Sequence, residues 1–158
     1  MEVHVKKPLK CDLAAAFKLC TDQKSLESTY DQLGGEDIRI KREGRAPNLK
    51  IAVQRRMPAN PPAAIRMLVP SMNDVQHTEK WRSEDGRYEA DIVVNIKGVP
   101  VDIAGTKLLY AEKGGSVVEW RFDVTSKVMF VGSILAAFGA EQLKGNLEDE
   151  YAVLKKSV

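Results

Sequence analysis

Apolar positions recur along this chain in two periods, and the change from one to the other divides it into segments. Val3 and Val5 alternate with Glu2, His4 and Lys6, which predicts a first strand over residues 2–7, ended by Pro8. Asp12 is placed to cap a helix over Leu13–Cys20, and Thr21 or Asp22 to cap a second over Gln23–Leu33. Gly34-Gly35 supplies the left-handed stop.

From there the period falls to two. Ile38 and Ile40 alternate with Arg39 and Lys41. After a turn at Gly44–Asn48, Leu49, Ile51 and Val53 mark the next strand. Met57–Pro62 breaks the pattern, and Ala63–Val69 has room for one or two helical turns before Pro70. Val75, His77, Glu79 and Trp81 share one face of a strand over residues 74–83. Ser83–Gly86 is a hairpin turn with an Asp-Gly signal. Tyr88, Ala90, Ile92, Val94 and Ile96 share a face of the next strand. A strand over 101–111 follows, and the last, Ser116–Thr125, carries Val118, Trp120, Phe122 and Val124 on one face.

The period then returns to helical. Val128–Ala140 is almost wholly apolar, and Leu143, Leu147, Tyr151 and Leu154 continue at three- and four-residue spacing without a proline. A helix over Gly132–Lys156 would be roughly 35–40 Å long and needs a broad apolar surface beneath it. The predicted order is β-α-α-β6-α: an α+β chain in which short turns require an antiparallel sheet. A seven-stranded sheet of this length should curl, with the long helix in its concave side.

Composition changes this picture little. At 158 residues the chain is read as a single domain, 1–158. A net charge of +2, with no RNA-binding aromatic motif and no zinc-finger spacing, gives no support for nucleic-acid binding. The longest apolar run is too short to span a bilayer, and the N-terminal segment lacks a signal peptide's apolar stretch, so a cytoplasmic protein is expected. Cys11 and Cys20 are expected to be reduced. No metal or cofactor is expected, because no CxxC, Cys/His cluster or phosphate-binding glycine loop is present.

The element order resembles the helix-grip fold of the START-like superfamily, which includes the birch pollen allergen family, polyketide cyclases and lipid-transfer domains. Val3-His4-Val5-Lys6-Lys7-Pro8 followed by Phe17–Asp22 is similar to that superfamily's opening. Ile103–Thr106, Gly114–Trp120 and Val131–Gly139 are similar to its branch typified by the G subunit of carbon monoxide dehydrogenase, and to an uncharacterised bacterial branch. The resemblance implies an apolar ligand held between sheet and helix.

On that reading Trp81, Tyr88, Ile92, Val94, Trp120, Phe122, Ile134, Leu135 and Phe138 are candidates to line a cavity, unless they simply fill a core. Gly132 and Gly139, seven residues apart on one helix face, either let the helix close onto the sheet or leave space. His77 and Glu79 would lie two residues apart on the inner face. They could act as an acid–base pair of a cyclase or dehydratase, with Tyr88 or Tyr110 nearby. A solvated outer-face pair, or a buried ion pair at a strand end, are the plainer readings. Arg39, Lys41, Arg42, Arg45, Lys50, Arg55 and Arg56 crowd the 38–56 hairpin against Glu43 alone. That field suits an anionic surface or acidic protein, unless it only keeps the hairpin solvated, and Glu148-Asp149-Glu150 could balance part of it. The insert Pro58–Met72, with its methionines and prolines, is either a lid or an ordinary covering loop. The expected function is binding or transfer of a lipid-, quinone- or polyketide-like molecule. An enzyme using His77 and Glu79, or an interaction and assembly module, are the alternatives.

Overall fold

A computed structural model describes residues 1–158. Seven antiparallel strands form one sheet: β1 (Glu2–Leu9), β2 (Glu36–Arg45), β3 (Asn48–Pro58), β4 (Met72–Glu84), β5 (Arg87–Ile96), β6 (Asp102–Glu112) and β7 (Gly115–Thr125). Their spatial order is β1-β7-β6-β5-β4-β3-β2. Helices α1 (Leu13–Thr21) and α2 (Gln23–Gln32) separate the two edge strands in sequence. Helix α3 (Gly132–Lys156) lies across the concave face. The fold is the α+β helix-grip arrangement, β-α-α-β6-α.

Local chemistry explains most boundaries. The Asp12 carboxylate accepts from the Ala15 N–H at 2.8 Å and Asp22 accepts from the Ser25 N–H, so α1 and α2 meet at one capping residue. Thr21, the other candidate cap, instead belongs to α1 and donates to the Phe17 carbonyl. Gly34 has φ +86°, the left-handed conformation that ends α2.

Two expectations are corrected. Pro8 does not end β1: it pairs with Val117, and the strand runs to Leu9. β1 is an edge strand, where a missing N–H costs no ladder bond. Ala63–Val69 supplies one helical turn, of 3-10 type over Ala63–Ile65, but β4 begins two residues earlier than expected, at Met72. Beyond that turn the chain stays coiled, with the Leu68 and Val69 N–H groups donating to the Ile65 carbonyl.

The core is one cluster on the concave face, and Trp120, Ile51, Leu109, Val53, Val118 and Val124 in it are fully buried. Each such side chain contributes about 1.5–3 kcal/mol by leaving water. Gly105 on β6 faces Phe122 on β7, whose ring and backbone occupy the space a Cβ would need. α3 is anchored by buried Leu135, Ala136, Ala140, Leu147 and Leu154, and the Tyr151 hydroxyl donates to the Pro8 carbonyl. A smaller cluster, Ile65, Val69, Val99 and Leu135, closes the end of the sheet where α3 begins.

A candidate ligand cavity between the sheet and the C-terminal helix

Alternation along the strands decides what faces α3. Asn73, Val75, His77, Glu79 and Trp81 share the concave side of β4, and Arg55 and Met57 share that of β3. Between these strands and α3 is a cavity of about 140 Å³, with 18 hydrophobic residues among the 28 that line it. Its walls are Ile92, Val94 and Ile96 from β5, Ile103 from β6, Trp120 and Phe122 from β7, and Leu135, Phe138, Leu143 and Leu147 from α3. Exposed or half-exposed Leu33, Met57, Pro58, Gln142 and Asn146 border it, and they mark its mouth between α3 and the ends of α2 and β3.

Of the nine expected lining residues, Ile92, Val94, Trp120, Phe122, Leu135 and Phe138 lie on the cavity wall. Trp81 and Tyr88 do not. Phe17 of α1 stacks on Tyr88 at 4.0 Å and meets Trp81 edge-on at 5.5 Å, so these rings are spent on seating α1. Ile134 is 40% exposed and faces outward, toward a shallow groove beside Asn60–Pro62. A Cβ at Gly139 would stand 3.2 Å from Val124 Cγ1, and one at Gly132 would stand 3.3 Å from the Ser126 carbonyl oxygen. Both glycines therefore let α3 approach closely, and the cavity opens between and beyond them.

One wall is polar, and its members form a hydrogen-bonded chain. Arg55 Nη1 lies 2.8 Å from His77 Nδ1. A guanidinium only donates, so Nδ1 is the acceptor and the ring proton sits on Nε2. That N–H faces Glu79 Oε2 at 3.0 Å, with the Tyr30 hydroxyl oxygen at 3.3 Å. Trp81 Nε1–H donates to the other Glu79 oxygen at 2.9 Å. Burial pushes the His77 pKa below its ordinary value, and the Arg55 charge adds to this against Glu79's opposing pull. Glu79 is driven up by burial but pulled down further by His77, Lys107 and Trp81, and stays an anion. Arg55 also stacks over the Tyr30 ring, 4.7 Å from its centroid. Burial pushes the Tyr30 phenol well above its usual range.

Lys107 Nζ donates to Glu150 Oε2 at 3.2 Å and lies 5.2 Å from the Trp120 ring centroid. Burial lowers its pKa, but Cys20, Glu150, Glu79 and Tyr30 outweigh that, and the ammonium is held well above the ordinary lysine range. Two cations, Arg55 and Lys107, thus face two anions, Glu79 and Glu150, and the polar wall is neutral. Tyr30, Arg55, Lys107 and Glu150 were not expected here. Parity was the available signal for two of them: Arg55 follows Ile51 and Val53, and Lys107 lies between Ile103 and Leu109. No three His, Cys, Asp or Glu side chains group as a metal site, and no helix is long and apolar enough to cross a membrane.

Elsewhere the basic hairpin carries partial compensation. Lys41 pairs with Glu43, and Arg56 with Glu36, Asp37 and Asp74. The acidic run on α3 does not serve it: Glu148 pairs with Lys7 and Glu150 with Lys107.

Solved structures share this architecture. TTHA0849 from Thermus thermophilus superposes with a TM-score of 0.69 at 15% identity, over 99% of this chain and 95% of that one. Ara h 8.0201 gives 0.60 at 16% identity, over 98% and 97%. The di-domain ARO/CYC StfQ from the steffimycin biosynthetic pathway gives 0.63 at 12% identity, over 98% of this chain and 50% of that one. At these identities the likeness establishes the fold. No curated protein matches the chain. Residues 4–158 match the family described as protein of unknown function (DUF2505), and the chain belongs to that family.

Proposed function

We propose that this protein binds a small hydrophobic molecule in the cavity between the sheet and α3, as a single unit over residues 1–158. The observation that carries this is the space itself. Interiors pack to nearly crystalline density, with few voids larger than a water, yet about 140 Å³ stands open here behind an apolar wall. An engineered apolar cavity of about 150 Å³ holds benzene. One aromatic ring or a short branched chain would fit wholly inside. A quinone, polyketide or lipid would place one such group there and leave through the mouth between Met57 and Gln142.

The polar wall argues for binding rather than catalysis. A general base needs a free lone pair, and the one on His77 Nδ1 is taken by Arg55. A general acid needs a proton, and Glu79 is held as a carboxylate with both oxygens engaged. The pair is a structural ladder that engages the His77 and Glu79 side chains fully, while Arg55 Nε and Asn73 Oδ1 on the same wall have no partner within the protein. The START-like resemblance, in a superfamily that includes members assisting larger complexes, fits a non-catalytic role.

The test is thermal unfolding of the purified protein with toluene, indole and menadione, alongside native mass spectrometry. At one hundred times Kd a ligand adds about 2.7 kcal/mol to stability, which raises the midpoint visibly. Val94→Trp fills the cavity from β5 and should abolish the rise. No rise with any of the three, together with a sharp unliganded mass, would overturn the reading.

A further inference from the structure

We propose that the end of the molecule built from residues 65–69 and 127–131 docks onto an anionic lipid surface. The two segments meet around the small cluster of Ile65, Val69, Val99 and Leu135, with Val128 and Val131 packed against it. From that shared base they send apolar side chains outward. Met67 is 100% exposed, Phe130 94% and Met129 74%. The other exposed large hydrophobics, Met1, Val93, Ile134 and Val158, are less exposed than Met129. Isolated exposed apolar residues are ordinary, but three largely exposed ones on two adjoining tips are not.

Phe130 also has φ +68°, a left-handed conformation that a bulky side chain adopts only against strain. The fold gains no buried area in return. The conformation closes a tight turn, in which the Val131 N–H donates to the Met129 carbonyl at 2.8 Å, and it leaves the Phe130 ring in solvent.

Within the segments that build these tips the charge has one sign, and the nearest acids flank them: Glu141 shares a groove with Arg66, and Asp74 a pocket with Lys97. No aspartate or glutamate occurs in residues 57–73, 96–101 or 126–140, although the chain contains 22 acidic residues. Arg66, Lys97 and Lys127 stand exposed in those same three segments, and none of them makes an ion pair within the protein. The first turn of α3 lacks both a side-chain cap and an acidic residue, so the positive end of its dipole adds to the field.

Geometry favours a lipid surface over a protein. Three side chains offer on the order of 500 Å², short of the roughly 800 Å² per partner of a stable protein contact. A bilayer needs no complementary pocket; apolar tips enter its interface while basic groups meet the headgroups. The tip adjoins the cavity through Leu135 and Phe138, which belong to both. The proposal does not depend on what the cavity holds.

The experiment is co-sedimentation of the full chain with vesicles of phosphatidylcholine alone, and with about a third phosphatidylserine. We expect pelleting with the second kind only, weakened by added salt. Met67→Ser/Phe130→Ser should lower the bound fraction at least tenfold, about the transfer cost of one apolar side chain, without moving the unfolding midpoint. Arg66→Gln/Lys127→Gln should erase the preference for phosphatidylserine, and Arg39→Gln/Arg42→Gln in the hairpin should leave it intact. Equal pelleting by the Met67/Phe130 variant, or none by the wild type, would overturn the proposal. So would a dimer in analytical ultracentrifugation that this variant abolishes while no vesicle is bound.

Discussion

Lys107 on β6 and Glu150 on α3 form a buried ion pair, 3.2 Å from Nζ to Oε2, that ties the concave face of the sheet to the helix covering it. The two groups are 4% and 12% exposed. Removing one partner strands the other charge in the interior. Lys107→Met or Glu150→Leu alone should cost about 3–5 kcal/mol in urea unfolding, while the double replacement should recover most of the loss. Two single losses that simply add would mean that the pair is not coupled.

The alkaline limb of stability should begin near pH 9. Burial raises the Cys20 thiol from 9.0 to about 11. A group whose folded pKa is raised stabilises below its unfolded value, and that contribution is lost as pH climbs to the folded one. Cys20 alone then accounts for a loss on the order of 3 kcal/mol between those limits. Tyr30 and Lys107, also raised, extend the loss above pH 10. Cys20→Ala should delay the onset by about one pH unit in urea titrations; an unchanged onset would show that the thiol is not responsible.

The acid limb has the opposite origin. The His77 pKa is lowered on folding, so its contribution is full above 6.5 and falls as pH drops through that value. Glu79, also lowered, adds a further loss below 4.5. His77→Gln can accept from Arg55 and donate to Glu79 without titrating. It should fold, and should flatten the slope between pH 6.5 and 4.5, which in the wild type is at most roughly 1.4 kcal/mol per pH unit. Persistence of that slope in the variant would move its source elsewhere.

Two glycines should respond in opposite directions to alanine. At Gly105 a Cβ would overlap the Arg121 carbonyl oxygen and lie 2.7 Å from Phe122 Cα, both backbone atoms. Gly105→Ala should destabilise by about 2 kcal/mol or more. At Gly145, inside α3, nothing lies within 4 Å. Gly145→Ala should stabilise by roughly 0.5–1 kcal/mol. Calorimetric midpoints of the two variants would check both signs at once.

Strand parity made much of this fold legible. His77 and Glu79 could be placed on the inner face because Val75 and Trp81 flank them at period two, and the long helix stood out by its unbroken apolar spacing. Three things were hidden. Pro8 reads as a terminator until its strand is known to be an edge, which depends on the pairing of β1 with β7. Trp81 and Tyr88 read as cavity lining because the one-dimensional pattern does not say that Phe17 of α1 will cover them. Arg55 reads as part of a solvated hairpin and Glu150 as part of a surface acidic run, because each is drawn inward only by a partner distant in sequence, as Lys107 is. For Pro8, Trp81 and Tyr88 the deciding contact is nonlocal; for Arg55 and Lys107 the period gives the face but not the partner that holds the charge there.

The placement of β1 beside β7 bears on how the chain comes to be assembled. Val3 pairs with Phe122 and Val5 with Trp120, so the first strand made has no partner until the last one has emerged. At typical elongation rates that wait is on the order of ten seconds. Through it β1 exists as an unpaired, half-apolar segment. The hairpins from β2 to β6 can form as they are synthesised, each closing a short loop, but the sheet reaches its full width only when β7 arrives to receive β1. The β1–β7 seam is therefore the last part of the sheet that can close, and the face that α3 covers is complete only once it has.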